Sequence, residues 1–184
     1  MIILDPDLES DQAQTRSAAP TPRAGSRDNR VPSVRALARF LREAQSVLKL
    51  RGRVTVLLTS DRALRRLNRQ FRGKNKATDV LSFPAYSPVL KGEGSGAPAK
   101  LRTVSGAPER IVGDLAISVD TARRQAAGLG HALAAEIKVL ILHGLLHLAG
   151  YDHETDGGEM ARREEKLREK LRLPHGLIER SVRS

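Results

Sequence analysis

The sequence predicts an α/β (α+β) fold: a small mixed β-sheet packed with about five helices, in a single domain. Three observations predict it. Segments with helical and with strand periodicity alternate along the chain. The link between the strand patterns at 79–83 and 111–118 carries no helical period, so that pair runs antiparallel and the sheet is mixed. The chain has 184 residues, 40% of them hydrophobic, enough for one modest core.

Taken in order, Ile2 and Ile3 suggest a short strand, and 9–30 reads as a flexible loop or tail rich in Ser, Ala, Pro, Asp and Arg. Ser33 caps a helix that turns Val34, Leu37, Ala38, Leu41 and Leu48 inward. Residues 53–58 are β-branched and apolar, a strand. Ser60 and Asp61 open a second helix with Leu64, Leu67 and Phe71 on one face, closed by Gly73. A strand at 79–83 ends at Pro84, and the Gly- and Pro-rich stretch 86–109 reads as a mobile insertion. A strand at 111–118 leads to a helix capped by Asp120 or Thr121. An apolar helix over 132–149 stops at Gly150. Asp156 and Glu159 resemble a capping box for a last helix, 157–172, with Met160, Leu167 and Leu171 inward. The domain proper spans 31–175, and 176–184 is a basic tail.

Lys and Arg number 32 against 21 Asp and Glu, a net charge of +11, which points to a polyanionic partner. The chain has no cysteine, which excludes disulfides, thiolate metal sites and a cysteine nucleophile, and fits a cytoplasmic location. Aromatics are 3%, too few for a base-stacking platform, so contact with nucleic acid falls to phosphates. The longest apolar stretch, Val139 to Ala149, is far short of the ~20 residues a bilayer requires, and no membrane partner is expected.

The most informative segment runs from Leu142 to His153. His143 and His147 stand four apart on a helix, on one face. Gly150 can turn the chain so that His153 returns as a third ligand. Three neutral imidazoles and an open position are the catalytic zinc arrangement, one Zn²⁺ per chain. From His147 onward the spacing is that of the metzincin proteases, but the general-base Glu that follows the first His in those enzymes is Gly144 here. Glycine inside a helix costs about 1 kcal/mol against alanine, so a neighbouring helix or a substrate backbone needs the space.

Residues 62–76 hold seven Lys or Arg and no acid. Arg62, Arg65, Arg66 and Arg69 share one helix face, an unbalanced stripe of the kind that meets phosphates. An ordinary solvated helix mixes signs, as 157–172 does where Glu164 precedes Arg168 by four. Arg72, Lys74 and Lys76 continue into the polar loop before the strand at 79–83.

Three segments together carry a family resemblance: Leu67-Asn68-Arg69-Gln70-Phe71-Arg72-Gly73-Lys74 through Thr78-Asp79-Val80-Leu81-Ser82-Phe83-Pro84, then Gly113-Asp114-Leu115-Ala116-Ile117-Ser118, then His143 to His153. Over roughly residues 33–172 the chain resembles the YbeY family of metal-dependent endoribonucleases and rRNA maturation factors. The resemblance implies a zinc on His143, His147 and His153 and an essential Arg72 in a basic cleft beside it. It also implies single-strand-directed cleavage in 16S rRNA 3′-end maturation, ribosome biogenesis and quality control. The implied partners are rRNA, the small ribosomal subunit, ribosomal proteins and ribosome-assembly GTPases. The chain departs from the family pattern at Asn75 and Ala77, where Asp and Pro are usual, and 9–30 and 86–109 are longer than typical.

On this basis Arg72 and His143 are the expected catalytic residues, with Arg65, Arg66, Arg69, Lys74 and Lys76 on the RNA backbone. Asp152 and Glu154 flank His153, and either would orient an imidazole or shuttle a proton. Asp79 and Asp114 read as structural, His131 and His175 as surface residues. Two rival functions are a non-catalytic, zinc-stabilised ribosome-assembly factor and a zinc peptidase; Gly144 and the net charge oppose the second.

Overall fold

The computed structural model describes residues 1–6, 8, 29–85, 110–153 and 156–174. The expected loop at 9–30, apart from its last two residues, lies outside the described residues, as do the insertion at 86–109, Glu154, His175 and the tail at 176–184. The elements are β1 (Ile2–Leu4), α1 (Val34–Leu48), β2 (Arg53–Thr59), α2 (Asp61–Arg72), β3 (Val80–Pro84), β4 (Ile111–Ser118), α3 (Val119–Leu129), α4 (Leu133–Leu148) and α5 (Glu159–Lys170).

The sheet order is β1-β2-β4-β3. β1, β2 and β4 are parallel, and β3 runs antiparallel to β4 at the edge opposite β1. Alternation along the strands sorts side chains to two faces. Val54, Val56, Leu58, Leu115 and Ile117 meet residues of α1, α3, α4 and α5 in the main core. Leu57, Leu81, Phe83 and Ala116 point the other way, onto Leu64 and Leu67 of α2. Among the described helices, α2 alone covers that second face.

Local chemistry sets most boundaries. The Ser33 hydroxyl accepts from the Ala36 N–H at 3.2 Å, and Ser60 accepts from Ala63 at 3.3 Å. Gly73 closes α2 with φ 68°. Two expected caps differ. α3 is capped by Ser118, not Asp120 or Thr121: β4 runs straight into the helix, and the Ser118 hydroxyl accepts from Thr121 N–H at 3.1 Å. α5 begins at Glu159 without a capping box; the Asp156 carboxylate alone accepts from Gly158 N–H (2.9 Å) and Met160 N–H (2.6 Å).

Two inward expectations also differ. Val34 is exposed, and Phe40 and Ala44 fill α1's inner face with Leu37 and Leu41. Phe71 is 60% exposed and leans edge-on against Phe83, with ring centroids 5.2 Å apart. α4 is buried along almost its whole length, which accounts for its all-round apolarity. No single helix among the described residues is long and apolar enough to cross a membrane.

Candidate metal centre

α4 presents His143 and His147 one turn apart, and Gly150 (φ 94°) reverses the chain so that His153 comes back to them. The Nε2 atoms of His143 and His147 are 3.2 Å apart, and one donor nitrogen from each histidine lies within 4.8 Å of the others. Two nitrogens bound at 2.0–2.1 Å to one tetrahedral ion stand about 3.3–3.4 Å apart. The pair is therefore already at ligand spacing. His153 Nδ1 is buried without a hydrogen-bond partner, a polar atom an ion would satisfy. Burial, then the neighbouring His143 and His153, push His147 down to about 4, which keeps it neutral with a free lone pair at pH 7. The three residues fit a metal ion.

Gly144 is explained by the sheet. A Cβ there would come within 2.7 Å of Leu115 Cδ2 on β4. Position 144 faces the strand, so an acid at this place would run into the core. The sequence reading expects a neighbouring helix or a substrate backbone here; the structure places a strand, β4, in that space instead. β3 is tied to the same turn, since the Ser82 hydroxyl donates to Gly144 O at 3.4 Å.

His143 is held from behind by a residue the sequence reading places on a solvated face. Glu164 of α5 is fully buried, and its Oε2 lies 2.9 Å from His143 Nδ1. Its Oε1 accepts from the Arg168 guanidinium, also buried, whose Nη1 donates to Pro174 O at 3.2 Å. Burial alone would raise the Glu164 carboxyl; the hydrogen bond to His143 and the Arg168 guanidinium outweigh it and hold it below the usual carboxylate value. The Glu164–Arg168 pair is thus an internal clamp rather than surface charge balance. The signal was present: Glu164 falls on the Met160–Leu167–Leu171 stripe of its helix.

The model of the family described as Endoribonuclease YbeY matches residues 27–172. The chain belongs to the YbeY endoribonuclease family. Relatives include Endoribonuclease YbeY of Koribacter versatilis, 48% identical over 82% of this chain and 86% of that one, and of Solibacter usitatus, 47% identical over 79% and 84%. The Helicobacter pylori protein is 37% identical over 77% and 87%. A solution structure from Thermotoga maritima is 26% identical over 77% and 85%, with a TM-score of 0.48. Membership of the YbeY family places the chain among the endoribonucleases, with a possible metal site on three histidines.

The other expected YbeY site residues are dispersed. Arg65, Arg66 and Arg69, with Arg62 and Asn75, line a cavity of ≈ 300 Å³ on α2, across the sheet from α4. Arg72 is exposed at the last turn of α2. A short relay of contacts joins that turn to the histidines: Phe71 packs on Phe83, and the adjacent Ser82 bonds to Gly144. Lys74 and Lys76 are exposed, on a loop pinned by buried Asn68, whose Nδ2 donates to Lys76 O at 2.8 Å. Asn68 belongs to the motif that carries the resemblance, and its place on α2's apolar stripe is the sequence signal for this inward, pinning role. Asp152 is exposed, and its charge acts on His147 against the effect of burial. Asp79 accepts from Val80 N–H and Gln125 Nε2, tying β3 to α3, and Asp114 is exposed.

Proposed function

We propose that this chain is a single-strand-directed, Zn²⁺-dependent endoribonuclease of 16S rRNA 3′-end maturation, ribosome biogenesis and quality control. On this reading it works in the cytoplasm on the small ribosomal subunit, with ribosomal proteins and assembly GTPases as neighbours, and residues 31–175 are the catalytic unit. The observation that carries the reading is the set of three converging histidines with Glu164 behind them. His143, His147 and His153 would hold one ion, which supplies Lewis-acid charge and activates water when bound.

The chain's own residues supply the rest. Glu164 fixes His143 with Nδ1 toward the carboxylate and Nε2 toward the site, the orientation a ligand requires. His143 and Arg72 are the assigned catalytic residues. The Arg72 guanidinium, exposed and outside any ion pair among the described residues, is available to charge developing on phosphoryl oxygens. Arg65, Arg66, Arg69, Lys74 and Lys76 hold RNA backbone. Asp152, solvated beside His147, is the described candidate for moving a proton.

Position 144 argues against the peptidase. It carries no base, and its Cα faces Leu115. The deciding experiment incubates the purified protein with structured rRNA and with casein, with and without chelator, beside His143→Ala and Arg72→Ala. RNA cleavage that needs metal and both side chains supports the reading. Cleavage surviving both substitutions sinks the site, and casein cleavage restores the peptidase. Full RNA processing in chelator would make any bound ion structural.

A further inference from the structure

The arginine stripe of α2 has a geometry of its own. Arg62, Arg65, Arg66 and Arg69 recur at i, i+3, i+4 and i+7, one helix face, opposite Leu64 and Leu67. All four are exposed, and with Asn75 they line one cavity of ≈ 300 Å³. No carboxylate lines that cavity, and none of the four side chains is in an ion pair among the described residues. The one acid of α2, Asp61, is committed to Ser118, Thr121 and Arg124. Like charges three and four apart destabilise a helix. Among the described residues no carboxylate offsets that repulsion.

Placement separates this stripe from the histidines. α2 packs on Leu57, Leu81 and Ala116, whereas α4 packs on Leu115 and Ile117, whose side chains leave the sheet on the other side. An RNA strand lying on both surfaces would pass around an edge of the sheet, and β3 is the edge strand packed against both α2 and α4. Planar guanidinium groups suit phosphate, and the low aromatic content leaves little for base stacking. Resting on the ribonuclease reading above, we infer that Arg62, Arg65, Arg66 and Arg69 form a second RNA site. It takes backbone phosphates of the substrate at a distance from the cleaved bond, on the sheet face opposite the metal centre.

The test uses the full chain and the variant R65Q/R66Q/R69Q; Gln is close to Arg in helix propensity, so the exposed helix is retained. Binding of fluorescein-labelled, unstructured RNAs of increasing length is followed by anisotropy over a range of salt. Wild-type affinity is expected to climb with length. The triple variant loses about tenfold for the longest RNA, little for the shortest, and its salt slope is shallower by about 2. The single reversal R69E gives the same direction if the triple variant melts early. Unchanged length dependence and salt slope overturn the second site. So does an equal loss for short and long RNA, which puts the stripe at the cleavage groove. Competition by polyglutamate as effective as by RNA also overturns it, in favour of an acidic protein surface. Failure of the underlying reading looks different: wild type and His143→Ala then treat RNA alike, whatever the stripe does.

Discussion

Glu164 Oε2 lies 2.9 Å from His143 Nδ1, and both side chains are buried. The carboxylate directs the imidazole's other nitrogen at His147 and supplies negative charge behind a site built from neutral ligands. Glu164→Gln keeps the shape and removes the charge. Metal affinity, measured by competition with a chromophoric chelator, is expected to fall about 10–100-fold, the usual loss for such a partner. The same change leaves Arg168 buried without its counter-charge, so denaturant unfolding is expected to show a loss of about 3–5 kcal/mol. Unaltered metal affinity in a folded Glu164→Gln protein contradicts the role.

Gly144 offers a test that needs no metal. An added methyl group meets Leu115 at 2.7 Å in a packed core. Overpacking of this kind costs about 1–3 kcal/mol, while alanine returns about 1 kcal/mol of helix propensity. Gly144→Ala is therefore expected to be net destabilising by up to about 2 kcal/mol in urea titrations. Pairing it with Leu115→Val, which makes room, should recover part of the loss. A neutral or stabilising Gly144→Ala would mean that α4 can lift off β4 freely.

The fold was legible where chemistry is local. Ser33, Ser60 and Gly73 mark helix ends by bonds to their own neighbours, and β-branched, apolar runs identify β2 and β4 as strands. The three histidines were legible because one helical turn and one glycine bring them together. The stripe position of Glu164 marks it as inward-facing, but its partner is not legible, because that depends on α5 packing on α4, a contact between residues 21 apart in sequence. A glutamate four before an arginine looks the same on a solvated face as in a core. The separation of the arginine stripe from the histidines was hidden for a related reason. Which face of the sheet a helix covers follows from the crossover, and Leu115 and Ala116 differ by one position yet belong to opposite cores.

Asp61 sets an acid limb on stability. It joins the start of α2 to the start of α3, accepting from the Ser118 hydroxyl, from Thr121 Oγ1 at 2.7 Å and from Arg124 at 2.7 Å. Burial pushes its carboxyl up, but the three hydrogen bonds and the Arg124 charge outweigh burial and hold it below the ordinary 3.8. Between the folded and unfolded values the unfolded chain binds more protons, so stability rises with pH there. The contribution is complete above about pH 5 and drains away as pH falls past 3.8 through the folded value. Asp61→Asn is expected to lower stability at pH 7 and to flatten its fall between about pH 5 and 3. Parallel unfolding curves for the two proteins across that range would show that the bonds to Ser118, Thr121 and Arg124 carry no charge-dependent energy.

Arg72 and Phe71 separate chemistry from placement. Arg72 touches the metal centre through no contact among the described residues, yet its helix turn is coupled to Gly144 through Phe71, Phe83 and Ser82. If the guanidinium stabilises phosphoryl charge, Arg72→Ala should lower kcat for RNA cleavage by about 10²–10³, with metal affinity unchanged. Arg72→Lys should recover only part of this, because an ammonium lacks the planar fork. Phe71→Leu removes the edge-on ring contact while keeping Arg72 itself. It is expected to lower kcat by a smaller factor, about tenfold, as a catalytic group loses its position. Equal losses in Arg72→Ala and Arg72→Lys, with wild-type behaviour in Phe71→Leu, would confine the role to the guanidinium and remove the relay. Wild-type kcat in Arg72→Ala would take Arg72 out of the reaction altogether.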